Sequence, residues 1–168
     1  MNPGWKVAFA VLALGACGQG SGATASDDAR DVAGHIDALQ AEQTAHSIEI
    51  GSLSTLDALH DPEVLHWRRV EGHLDAMNLG MSDMMACDSD RIAIVAAGFA
   101  DSMQKMHVEF DAHRHVILGA GEMGAARIEE ARHGEAVRDI TGAMQDRWNT
   151  MMLDPRAYAC PRCSSCGM

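Results

Sequence analysis

Four long stretches of helical periodicity, separated by short breaks, predict an all-α chain folded as an up-down-up-down four-helix bundle. Two further observations support this. No stretch alternates apolar and polar residues as a strand would, and no internal repeat is evident. Only three Phe, three Trp and one Tyr occur beside twelve Met, so the core must be aliphatic and Met-rich. A chain of 168 residues is long enough for one such domain.

The first segment stands apart from that core. Lys6 precedes an apolar run from Val7 to Leu14, followed by Gly15-Ala16-Cys17. A charged start, a short apolar run and small residues form a signal peptide, too short to span as a finished helix. Leu14-Gly15-Ala16-Cys17 resembles the lipobox of bacterial lipoproteins, over about the first twenty residues. That resemblance implies cleavage before Cys17, a Cys17 carrying acyl chains such as palmitate, and membrane anchoring through them. Gly18 rather than Asp after the Cys implies the outer membrane, facing the periplasm. Residues 1–16 are then the signal peptide and 17–26 a lipidated Cys on a Gly/Ser-rich tether. Cleavage removes only Lys6 among the charged residues, taking the net charge from −11 to −12. Such acidity argues against nucleic acid and suits a cation partner.

The bundle is expected over 27–154. Ser26-Asp27-Asp28 supplies a cap and first-turn acids for helix 1, which runs to about Leu59. Its stripe is Val32, Ile36, Leu39, Gln43, His46, Ile50, Leu53 and Leu56. His60-Asp61-Pro62 breaks it, with Asp61 as N-cap and Pro62 at the first helical position of helix 2. Helix 2 shows Val70, His73, Met77, Met81 and Met84 on one face and ends near Cys87. Asp88-Ser89-Asp90 opens helix 3, with Ile92, Val95, Phe99, Met103, Met106, Phe110, His113 and Ile117 as its stripe. Gly119-Ala120-Gly121 ends it. Helix 4 carries Met123, Glu130, His133, Val137, Ile140, Met144, Trp148 and Met151 and stops at Asp154-Pro155.

The densest chemistry lies in Met106–His115, with three His, two carboxylates and a Met in ten residues. Glu109 and His113 share a helix face at i, i+4, and His113 falls on the core stripe. The helix 1–2 and helix 3–4 turns lie at one end of such a bundle. With Asp61 and Gly121 as turn centres, Glu49, His73, Glu109 and His133 all fall roughly 18 Å up it, at about 1.5 Å per residue. His46 and His107 lie a turn higher, and His113 and Glu130 a turn lower. Every helix thus offers a His or Glu to one zone, as bundles present metal ligands. The expected metal ligands are Glu49, His73, Glu109, His133, His46, His107, His113 and Glu130. His35, His60, His66 and His115 read as surface or turn residues. Imidazole and carboxylate suit Zn²⁺, Cu²⁺ or Ni²⁺, and nearby Met77, Met81, Met84, Met103, Met106 and Met144 are either core filler or soft donors for Cu(I). Copper or zinc is favoured, with iron as a further option. Buried His–Glu pairs are alternatively polar layers that fix helix register.

Glu130-Ala131-Arg132-His133, with Glu109 on the preceding helix, resembles half of a ferritin-like di-iron carboxylate site, which implies an iron oxidase. The other half departs from that pattern. Glu63-Val64-Leu65-His66 is placed beside the turn, several turns from Glu109.

The last segment, 155–168, contains Cys160, Cys163 and Cys166. With Cys87 these either form two disulfides or a four-thiolate metal or redox site. Their place after the last helix resembles that in cytochrome c′, which holds haem through Cys-x-x-Cys-His. Ser164 and Gly167 stand where that His would follow, so covalent haem is not expected. Gly119-Ala120-Gly121-Glu122-Met123-Gly124 matches a dinucleotide fingerprint but follows no strand, which voids it. No nucleophile elbow is legible, and many donors without a shaped substrate pocket fit binding better than turnover. The expectation is a membrane-anchored envelope lipoprotein that buffers, delivers or senses a transition metal. A structural or interaction lipoprotein is the alternative, with no protein partner specified.

Overall fold

The computed structural model describes residues 25–85 and 90–153, with side chains described over 30–82 and 97–153. The chain forms α1 (Ala25–Ser52), a 3₁₀ turn (Leu56–Ala58), α2 (His60–Met85), α3 (Asp90–Leu118) and α4 (Met123–Met152). α1 packs most extensively on α2 and α3 on α4, and α1–α4 and α2–α3 contacts close the ring. This is the four-helix bundle that the periodicity predicts, with sequential helices as neighbours.

Most stripe residues whose side chains are described form the core. Val32, Ile36 and Leu39 of α1 meet Val70, Leu74 and Met77 of α2, Phe99, Met106 and Phe110 of α3, and Val137, Met144 and Trp148 of α4. Each such side chain contributes about 1.5–3 kcal/mol by leaving water. A second, smaller cluster of Ile50, Leu59, Ile117 and Ala126 closes the end where the two hairpin loops lie.

Helix 1 ends earlier than its apolar spacing predicts. Gly51, Ser52 and Ser54 are weak helix formers, and Thr55 is extended at φ −135°, ψ 148°. Leu53 and Leu56 still pack on the small cluster, but from backbone outside α1. The 3₁₀ turn then runs into α2, with the Glu63 amide donating to the Leu59 carbonyl at 3.1 Å. Pro62 sits in that first turn, where its missing N–H costs nothing. On the other hairpin, Gly119 ends α3. A Cβ there would stand 3.1 Å from the His115 carbonyl oxygen. Among the described residues no helix is long and apolar enough to cross a membrane.

Candidate metal centre

A buried polar layer contacts all four helices. Gln43 and His46 come from α1, Glu63 and His66 from α2, His113 from α3, and Glu129, Glu130 and His133 from α4, all of them buried. Burying two or more carboxylates costs several kcal/mol per ion unless partners or a cation offset it. The sequence places that cost inside an otherwise apolar bundle.

His46, Glu63, His113 and Glu130 each present one ligand atom, and these four atoms all lie within 4.8 Å of one another. His46 Nε2 donates to Glu63 Oε1 at 2.9 Å and stands 3.6 Å from Glu130 Oε2. His113 Nε2 lies 3.5 Å from Glu63 Oε2 and 3.4 Å from Glu130 Oε2, without hydrogen-bond geometry to either. Each carboxylate therefore faces both imidazoles. Four buried atoms of the layer, His46 Nδ1, His113 Nε2, Glu130 Oε2 and His133 Nε2, have no hydrogen-bond partner. Native cores rarely leave such groups unmade. The arrangement can hold a metal ion.

The outer atoms strengthen this assignment. Metal-ligating His typically donates its other ring N–H to a carboxylate, which fixes the tautomer and aims the free nitrogen. His133 Nδ1 donates to Glu109 Oε1 at 2.9 Å, and His113 Nδ1 to Glu129 Oε1 at 3.3 Å. His66 Nδ1 faces Glu42 Oε1 at 3.3 Å while its Nε2 faces Gln43 Oε1 at 3.2 Å. Arg132 clamps Glu109 and Glu129 together, at 2.7 Å and 2.6 Å from its Nη2. Arg69 plays the corresponding part on Glu42, at 3.2 Å. On the centre's own side, Gln43 Nε2 and Ser47 Oγ donate to Glu130 Oε1 at 2.8 Å and 2.6 Å.

The electrostatics follow from burial and crowding. Burial would raise the Glu63 carboxyl, but the His113 and His46 contacts overcome it and hold the pKa at about 2. Burial would lower His113, yet the Glu63, Glu130 and Glu129 carboxylates raise it. A proton on His113 thus offsets charge that a cation would otherwise neutralise. Burial and neighbouring imidazoles push His66 down to about 3 and His133 further still, so both rings are neutral, as ligation requires. A neutral His66 carries one proton and cannot donate to Glu42 and Gln43 at once.

Of the residues singled out from sequence, the structure brings His46, His113 and Glu130 into the central group. His133 is fully buried beside it, and Glu109 anchors His133 from behind. Three do not join them. Glu49 is exposed on α1. His73 is half-buried with its Nδ1 3.1 Å from His35 Nδ1, and His107 lies against Trp67 at a ring separation of 6.1 Å. Met77, Met81, Met106 and Met144 are buried in the larger apolar cluster, with Met103 packed against it. The Met84 side chain, Cys17, Cys87, Cys160, Cys163 and Cys166 lie outside the described residues.

Sequence reasoning missed Glu63, His66 and the supporting Glu42, Gln43, Ser47 and Glu129. His66 is not a surface or turn residue; it is 2 % exposed. The reason is the early end of α1. The turn between α1 and α2 centres near Thr55 rather than Asp61, which lifts Glu63 and His66 by roughly 9 Å at about 1.5 Å per residue. A signal was present. Glu42, His46, Glu63 and His66 recur as Glu109, His113, Glu130 and His133, each 67 positions later. The chain thus does contain a repeat, carried by polar positions of the two hairpins. No family model matches the chain, and no curated protein or solved structure matches it either.

Proposed function

We propose that this chain is a transition-metal-binding bundle that buffers, delivers or senses its ion in a bacterial envelope, tethered there by a lipidated Cys17. The observation that carries the metal reading is the central group: two imidazoles and two carboxylates converge from four helices, and His113 Nε2 and Glu130 Oε2, which face each other at 3.4 Å, lack a hydrogen-bond partner. Mixed imidazole and carboxylate donors suit borderline divalent ions such as Zn²⁺, Cu²⁺ and Fe²⁺. The anchor rests on the lipobox resemblance alone, and labelling with palmitate tests it: Cys17→Ala should abolish incorporation. Elemental analysis of the form beginning at Gly18, purified without a His tag, tests the site. A transition metal near one equivalent or above, lost in His46→Ala/His113→Ala with helix content retained, supports the reading. A purely structural layer predicts no metal and unchanged stability on adding chelator.

One observation favours a second reading. Glu63-x-x-His66 and Glu130-x-x-His133 face each other on α2 and α4, as in ferritin-like di-iron sites. That pattern also asks for an inward Glu from each remaining helix, and here α1 and α3 present His46 and His113. Oxygen consumption on adding Fe(II) would move the account to the oxidase.

A further inference from the structure

We infer that the layer binds two metal ions, the second held by His66 and His133 beside the first. This rests on the metal reading above. The central group accounts for only two of the four buried imidazoles, so the other two need a role. Their geometry supplies one. His46 and His113 meet edge to face, with centroids 6.3 Å apart and planes at 87°. His66 and His133 repeat that arrangement at 6.2 Å and 86°. The second pair stacks on the first ring by ring: His66 on His46 at 3.9 Å and 5°, His133 on His113 at 3.8 Å and 11°. The structure therefore contains one imidazole pair and a copy displaced by one ring thickness. Ions in two-metal sites stand about 3.5–4 Å apart, which is the same spacing.

The remaining atoms fit this use. Glu42 and Glu109 stand at the Nδ1 atoms of His66 and His133, so both Nε2 atoms are left facing inward. His133 Nε2 is buried and has no hydrogen-bond partner. Gln43 Oε1 lies 3.2 Å from His66 Nε2 and adds an oxygen to the second pair. Glu63 and Glu130 sit one helical turn before His66 and His133, where carboxylates that already face two imidazoles can be shared between neighbouring ions.

Titration with Co(II), followed by dialysis and metal counting, tests this on the form beginning at Gly18. Two equivalents are expected, falling to one in His66→Ala/His133→Ala. A single equivalent in the unaltered chain overturns the second site but leaves the metal reading intact, whereas no bound cobalt overturns both. Two equivalents that survive the double substitution place the second ion elsewhere and also overturn the inference. A readout on the unaltered chain avoids dependence on how the variant folds. Loaded with two equivalents of Cu(II), adjacent ions couple, so the integrated electron paramagnetic resonance signal should fall well below the copper present. A full, uncoupled signal would contradict adjacent ions.

Discussion

The two hairpins carry the same ligands at the same offset but hold them differently. In α3–α4, His113 and His133 each have a carboxylate on Nδ1, and Arg132 ties Glu109 to Glu129. In α1–α2, His66 has Glu42 at 3.3 Å, against 2.9 Å for its counterpart His133 and Glu109, and His46 Nδ1 has no hydrogen-bond partner. Pro62 occupies the position corresponding to Glu129, and Gln43 stands opposite Phe110. Phe110 packs on His133 at 4.5 Å, while Gln43 donates to Glu130 and sets its Oε1 3.2 Å from His66 Nε2. Apart from the Gln43 oxygen, the atoms that would touch an ion are duplicated. What differs is the scaffold behind them, so the α3–α4 half is the stiffer and the α1–α2 half the more adaptable. Preorganised ligands lose less on binding.

Removing a shared carboxylate should have the largest effect. Glu63→Ala and Glu130→Ala should each weaken metal binding by more than about 100-fold, beyond the range of outer partners, despite lying in different halves. Isothermal titration with Zn²⁺ measures it, and a large disparity between the two would break the duplication. Next in size is the outer layer. Glu109→Gln should cost about 10- to 100-fold in the same titration, and Glu42→Gln less, because the Glu109 contact is shorter and clamped by Arg132.

Gln43 probes the asymmetry without metal. Gln43→Leu removes a donor to Glu130 and an acceptor beside His66, and should cost on the order of 1 to 2 kcal/mol in urea unfolding. Full stability in that variant would show Gln43 to be idle. The buried rings also make stability depend on pH. His66 and His133 have lowered pKa values in the fold, so below an unfolded value near 6.5 the unfolded chain takes up protons that the native one refuses. Metal-free stability should therefore fall as pH drops from 6.5 toward 3, at on the order of 1 kcal/mol per pH unit for each ring. His113 has the opposite sign: its raised pKa stabilises fully below 6.5 and that contribution fades as pH rises above it. Denaturant midpoints at pH 6.5 and 5.5 should show the loss, and His66→Ala should reduce it.

The helices and their buried faces were legible because burial follows the 3.6-residue period, as Val32, Ile36 and Leu39 or Met144, Trp148 and Met151 show. The site was half legible. His113 on α3 and Glu130 and His133 on α4 flank a turn that Gly119 and Gly121 mark, so their height follows from the sequence. On the first hairpin Leu53 and Leu56 keep the apolar spacing while the backbone has already left the helix. Periodicity reports which residues are buried, not which conformation buries them. That displaced the turn, left Glu63 and His66 near a loop, and promoted Glu49 and His73 to their level. The duplication at 67 positions would have corrected it, since Glu130 and His133 point back to Glu63 and His66.

X-ray absorption on the form beginning at Gly18, loaded with Zn²⁺, reads the donors of the bound ion. A shell of nitrogen and oxygen near 2.0–2.1 Å with the multiple-scattering pattern of imidazole, and no sulfur, is the predicted result. A sulfur shell near 2.3 Å would contradict it and move the ion to the methionines or to Cys87 and the C-terminal cysteines.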